Sequence, residues 1–305
     1  MEAKYEPLVD TFTFYADKSR FHSALVLEFL GTAVVTYAYT LSFFDQQTRA
    51  MAYFIVYLVA HHISGAHFNP AISLACFVND KLRAGASSRK EMIENKDSVK
   101  QLLITMLAQL LGSVLGILIV YVLAKDYSSS LYMLPNISMT IYHYFDVFTN
   151  TDGFQFTRIF AQEALQTFVF ALVFLSIRGQ AYYQKCSPIL KGLALSYILY
   201  ACYRFSFGAG ACLNPALGLT QSIYMIAIGD SFNGTLTLNQ TFWVYMTAPF
   251  VGALAAAFFN GSYHQGVTEG VEAALERHHQ QKLHESRSVD KIDVEDTRSN
   301  ISDDE

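Results

Sequence analysis

Residues 62–71 read His62-Ile63-Ser64-Gly65-Ala66-His67-Phe68-Asn69-Pro70-Ala71, and the last triplet recurs as Asn214-Pro215-Ala216. Each triplet follows an apolar run and precedes one too short to cross a bilayer. Proline suits the first turn of a helix, where its missing N–H has no intrahelical partner to lose. An asparagine just before it can cap N–H groups that the first turn leaves open. The triplets therefore predict two short helices, Asn69 to about Val78 and Ala216 to Ile228, each with its positive end at membrane depth. Interrupted hydrophobic segments at corresponding places in two halves mark a transport path.

The composition agrees with a membrane protein. Of 305 residues, 52% are hydrophobic and 15% charged, and the mean hydropathy is +0.24. The net charge is −5. From Gly261 onward eleven acids oppose five bases, so that stretch carries −6 and the remainder +1. Nothing here suits a nucleic acid. Cys76, Cys186, Cys202 and Cys212 lack metal-ligand spacing, which reads as buried free thiols with no metal and no cofactor. The first 20 residues are polar and carry no cleavable-signal pattern.

Six spans are expected: Ala24–Phe44, Ala50–Ile63, Gln101–Ala124, Arg158–Ile177, Gly192–Phe207 and Thr241–Phe259. Most approach the ~20 residues a bilayer requires. Residues 79–100 hold six bases and read as cytosolic, whereas 125–157 hold one and read as an outer loop. Both termini then lie in the cytosol. The expected organisation is a cytosolic lead-in (1–21), a channel domain (22–260, halves about 22–124 and 158–260) and a cytosolic acidic tail (261–305). The tail is expected to be largely disordered, apart from a short helix near 268–284, and to be open to a cytosolic partner.

The halves correspond. Glu28 and Thr32 answer to Glu163 and Thr167, and 108–112 answers to 248–252. Three spans per half is odd, so the second half must insert upside down. Two positive helix ends then face each other near the midplane, with Asn69 and Asn214 each offering an amide donor. A water at the centre gives its oxygen to both and relays a proton poorly, and a cation meets unfavourable potential from either side. The carbonyls of Gly65, Ala66, His67, Gly210, Ala211 and Cys212 would supply acceptors along the wall. Glu28 and Glu163 are expensive in lipid and are expected to hold non-helical backbone by accepting N–H bonds, with His62 bracing the loop. A pH gate at His61 and His62 is the alternative for those two.

On these motifs, together with Gln109, Gly112, Gly116, Trp243, Pro249 and Gly252, the chain from 22 to 260 resembles the major intrinsic protein family, the aquaporins and glycerol facilitators. The resemblance implies an all-α membrane protein of aquaporin-like fold, with six transmembrane helices plus two half-helices. It implies a homotetramer in the lipid bilayer, each monomer with its own pore, and a passive channel rather than an enzyme. The arginine that usually follows the family's second triplet is Leu217 here. Counting back from Asn214 puts Cys202 and Ala211 at two further outer-filter positions that the resemblance implies, counting back from Asn69 puts Arg49 at another, and Arg204 is a second candidate cation there. That filter leaves three readings open: a water channel that also passes small neutral solutes, a glycerol- or urea-type facilitator with weak water flux, and a closed structural or junctional protein. Asn136, Asn233 and Asn239 are glycosylation candidates on the outer side. The membrane is expected to be the plasma membrane or that of an intracellular vesicle or vacuole.

Overall fold

The computed structural model describes residues 18–42, 45–83, 96–124, 152–179, 183, 186–205, 211–228 and 238–264, with single positions between 266 and 281. It is helical, with no strand among the described residues. Among the described residues eight α-helices follow in order: α1 Lys18–Leu41, α2 Gln46–Ala60, α3 Pro70–Arg83, α4 Lys96–Ala124, α5 Asp152–Gly179, α6 Pro188–Phe205, α7 Pro215–Ile228 and α8 Leu238–Phe259, the last continued by a π-helical turn Asn260–His264.

The starts of these helices are written in the sequence. Proline is the first residue of α3, α6 and α7. Asp45 caps α2 by accepting the N–H groups of Gln47 and Thr48 at 3.0 and 3.2 Å. The Thr48 hydroxyl and these N–H groups hold the Asp45 carboxyl below the usual range. The connection expected at 45–49 is thus the first turn of a helix, with Arg49 on it.

Among the described residues four helices carry stretches long and apolar enough to cross a membrane: Ser19–Leu41, Ser98–Leu123, Thr157–Gly179 and Phe242–Ser262. The other two spans are shorter, with α2 at 15 residues and α6 at 18. At ~1.5 Å per residue α2 rises only about 22 Å. The turn at 61–64 extends it.

The helices pair by repeat. α1 packs on α4 and α5 on α8, while α2 meets α6 between the halves. Each short helix crosses over, α3 onto α8 and α7 onto α4. Glycine sets the closest approaches. A Cβ at Gly112 would strike the Phe29 carbonyl, and one at Gly252 the Ala164 carbonyl. Small residues let membrane helices approach until their backbones touch, and dispersion then holds them. Gly252→Leu is expected to force α8 off α5, destabilising the fold by at least about 1–3 kcal/mol. Loss of monodisperse protein in detergent, with a lowered melting temperature, is the readout.

Large apolar side chains such as Ile55, Val59, Leu103, Leu107 and Val251 are exposed on the isolated chain, which is the surface a bilayer covers. Asp80 and Arg178 form a two-pronged pair at 2.7 Å, Arg83 donates to the Gly179 carbonyl at 3.1 Å, and Asn260 donates to Asn79 at 2.8 Å. These bonds fasten the C-terminal end of α3 to the ends of α5 and α8.

The chain divides into two compact units, Met1–Gly261 and Ser262–Glu305. In the second, the positions from 266 to 281 that are described, Leu275 among them, are helical and exposed. The remainder of the expected acidic tail lies outside the described residues.

Candidate functional site: a paired asparagine centre and its two supporting carboxylates

Asn69 and Asn214 cap their own helices identically. The Asn69 side-chain oxygen accepts the Ala71 N–H at 2.9 Å, and that of Asn214 the Ala216 N–H at 3.0 Å. With its oxygen so held, each amide nitrogen points across the repeat boundary. Asn69 Nδ2 donates to the Leu213 carbonyl at 2.7 Å, and Asn214 Nδ2 to the Phe68 carbonyl at 2.8 Å. The two helix N-termini therefore meet head to head, and the roughly half-unit positive end of each dipole is aimed at one point. A primary amide carries two N–H bonds, so each asparagine keeps a second donor. Each also keeps 5% of its surface open, whereas Phe68 and Leu213 keep 1%.

Backbone strain makes these cross-links geometrically available. Ala66, Phe68 and Leu213 hold φ of 55°, 49° and 55°, and Gly65 holds 83°. Left-handed conformation at a non-glycine residue costs roughly 1–3 kcal/mol and persists only where surroundings enforce it. The enforcement comes from the buried carboxylates. Glu28 accepts the N–H groups of His67 and Phe68 at 2.9 and 2.7 Å, and Glu163 those of Cys212 and Leu213 at 2.8 and 3.0 Å. Gln109 reinforces Glu28 at 2.8 Å while donating to Ser73, whose hydroxyl meets His67 Nδ1 at 3.1 Å. Gly31 leaves room for the Phe68 ring, which a Cβ there would strike.

Of the expected wall carbonyls, two are already engaged on one side. Tyr53 donates to Ala66 at 3.0 Å and Tyr39 to Ala211 at 2.7 Å. An oxygen with two lone pairs still has one to offer. His67 is buried, and its Nε2 has no protein hydrogen-bond partner. Gly210 lies outside the described residues. His62 is exposed and touches His61, ring centroids 3.7 Å apart, and His61 stacks on Tyr57.

The outer-filter candidates separate. Arg49 lays its guanidinium 3.8 Å over the Tyr39 ring, with Nε on the Ser42 hydroxyl at 3.3 Å. Ala211 is one hydrogen bond away, through Tyr39. Cys202 is buried, its thiol 3.5 Å from the Gln166 carbonyl. Leu217 is wholly buried in the hydrophobic core. Arg204 is exposed and lines a cleft of about 660 Å³ with Ser42, Asp45, Gln46, Gln47, Tyr200 and Leu41. Asn239 falls in the first turn of α8, and Asn136 and Asn233 lie outside the described residues. Among the described residues no group of three or more His, Cys, Asp or Glu could hold a metal ion.

Sequence reading missed Tyr39, Tyr53 and Ser113. Ser113 links Thr36 to Thr220 and the Ala216 carbonyl. A signal existed for its partner Thr36, because Glu28, Thr32, Thr36 and Thr40 recur every fourth residue, a polar stripe on one face of an apolar helix.

Six spans in two interlocked halves, with two short helices meeting at their N-termini, define a membrane channel of the aquaporin fold. Residues 15–260 match the major intrinsic protein family, and the chain belongs to it. It is thus an integral membrane protein of a family whose members are channels for water and small solutes, not enzymes.

Among curated relatives, "Glycerol uptake facilitator protein-like 6" of Lactiplantibacillus plantarum is 26% identical over 245 residues, covering 79% of this chain and 94% of the relative. The aquaglyceroporin of Plasmodium falciparum is 29% identical over 213 residues, covering 68% and 72%. Aquaporin PIP2-7 of Musa acuminata is 25% identical over 267 residues, covering 80% of each. The X-ray structure of the Plasmodium aquaglyceroporin superposes with a TM-score of 0.60 at 24% identity, over 82% of this chain and 99% of that one.

Proposed function

We propose that the protein is a passive channel for water that also passes small neutral polyols of the glycerol type, and that it excludes protons and cations at the Asn69/Asn214 centre. The reading is carried by the reciprocal amide-to-carbonyl bonds, 2.7 and 2.8 Å, which fix both asparagines with one donor each to spare. A single-file water accepting both donors directs its own hydrogens outward in opposite senses, which breaks a proton wire. The opposed dipoles repel cations. Pro70, Pro215, Ala71 and Ala216 set the helix starts that aim these groups, and the wall carbonyls at 65–67 and 210–212 accept from the permeant.

The outer filter in this reading comprises Arg49, Cys202 and Ala211. Leu217 provides apolar backing and Arg204 serves the vestibule. Support for polyol passage comes from leucine at position 217, where a fixed cation would otherwise narrow the path, and from the likeness to proteins named as glycerol facilitators and aquaglyceroporins. Assembly as a homotetramer, cytosolic termini and glycosylation at Asn136, Asn233 or Asn239 belong to the same proposal.

The experiment is stopped-flow measurement of water and glycerol permeability in proteoliposomes. Wild type is expected to raise both over empty vesicles. Arg49→Gln removes a charged donor and widens the mouth, and is expected to raise the glycerol-to-water ratio about threefold, a shift equivalent to under 1 kcal/mol. Glycerol flux without water flux would favour a dedicated facilitator, and neither flux a closed protein.

A further inference from the structure

The family's usual filter cation follows the second triplet, where this chain has a buried leucine. A cation nonetheless stands one side chain from the same loop. The Arg49 guanidinium on α2 lies 3.8 Å over the Tyr39 ring of α1, and the Tyr39 hydroxyl donates to the Ala211 carbonyl at 2.7 Å, three residues before Asn214. Tyr203 of α6 packs edge-on against Tyr39, centroids 5.8 Å apart, and lies 6.0 Å from the guanidinium. Tyr39 is 2% exposed and clamped from three sides, so its ring is a fixed platform. Arginine is long and rotamer-rich, and at the end of a span its default is to reach for the headgroups. A ring face offers an alternative through the aromatic quadrupole.

We propose that Tyr39 is the positioning residue of the outer filter: its ring holds the Arg49 guanidinium over the mouth, so that the cation missing after the second triplet is supplied from α2 by way of α1. This rests on the reading of Arg49 as the filter cation. The chemistry selected is that of small uncharged hydroxyl solutes, whose oxygens accept from the guanidinium while their carbons pass Cys202 and the aromatic rings. Without the platform the side chain leaves the mouth, and selectivity relaxes as if Arg49 were absent.

The test uses the full chain in proteoliposomes and reads the glycerol-to-water permeability ratio for Arg49→Gln, Tyr39→Leu and the double variant. Tyr39→Leu is expected to raise the ratio about threefold, as Arg49→Gln does, and the double variant no further, because Tyr39 acts through Arg49. Should Tyr39→Leu fail to fold, ring-fluorinated phenylalanines at position 39 provide the second arm. They preserve shape while weakening the negative ring face, so the ratio climbs stepwise with fluorine number, starting from Tyr39→Phe. A shift with Arg49→Gln but none with Tyr39→Leu or fluorination overturns the positioning role and leaves the filter reading standing. Additive shifts overturn it as well. No shift with Arg49→Gln overturns both.

Discussion

Replacing Glu28 or Glu163 by glutamine is expected to abolish channel activity, with a fall of at least tenfold in water permeability and a marked loss of thermal stability. The substitution is nearly isosteric, so volume does not explain the effect. Each carboxylate receives two backbone N–H bonds, and Glu28 also receives the Gln109 amide. A glutamine side chain presents one acceptor oxygen and turns an NH₂ donor toward the second N–H. One buried bond is lost and two donors face one another. Hydrogen bonds to charged groups contribute about 1.5–3 kcal/mol, and a stranded buried donor costs a similar amount again. About 3 kcal/mol is therefore expected from either change.

The loss does not stop at stability. The same N–H bonds hold Phe68 and Leu213 at φ of 49° and 55°, which turns their carbonyls toward the opposite asparagines. Once released, those residues relax to negative φ and the amides lose their anchors. Thermal unfolding in detergent and stopped-flow permeability in vesicles should therefore fall together. A variant that lost stability but kept full flux per folded protein would show that the strained loops do not set the pore.

The second large effect concerns charge selectivity. Asn214→Asp keeps the side-chain oxygen that caps α7 through the Ala216 N–H. It replaces the donor aimed at the Phe68 carbonyl with a second acceptor and places an anion at the point where two helix dipoles converge. Folding should survive better than in the glutamate variants, since the carboxylate is favoured by both helix ends. Water passage should fall, while a proton or cation leak at least tenfold above wild type appears, because the central donors that orient water are halved. Vesicles loaded with a pH-sensitive dye and clamped with valinomycin read this directly. Unchanged proton tightness would place the barrier elsewhere on the path.

Much of this arrangement is legible in the chain because it is repeated. Asn69 and Asn214, Glu28 and Glu163, and Gly112 and Gly252 each occur once per half, and each pair does one job in the structure. A motif that recurs in phase with an apolar pattern constrains its partner even when neither copy alone would. The starts of the two short helices at Pro70 and Pro215 were equally readable, since proline at a first turn has few other uses beside a capping residue; Pro188, which opens α6, was not read, and that span was expected only from Gly192.

What escaped reading lies off the repeat. Tyr53 reaches the Ala66 carbonyl from α2, Tyr39 reaches Ala211 from α1, and Ser113 ties α4 to α7. Their partners are backbone atoms on distant segments, and a tyrosine in an apolar span looks identical whether it meets headgroups or a buried carbonyl. Arg49 shows the same limit. Counting back from Asn69 makes it an expected filter residue, but only the tertiary contact with Tyr39 shows what holds its side chain. The short α2 depended on Asp45 acting as its cap, which a reading by hydrophobicity alone treats as a loop residue.

Two opposed half-helices and their asparagines are expected to frame an open path for water. Stopped-flow light scattering of proteoliposomes under an osmotic gradient, measured across temperature against empty vesicles, tests it most directly. A large increase in shrinking rate is expected, with an activation energy near that of free diffusion of water, while the vesicles remain tight to protons. A rate and activation energy matching the empty bilayer would contradict it.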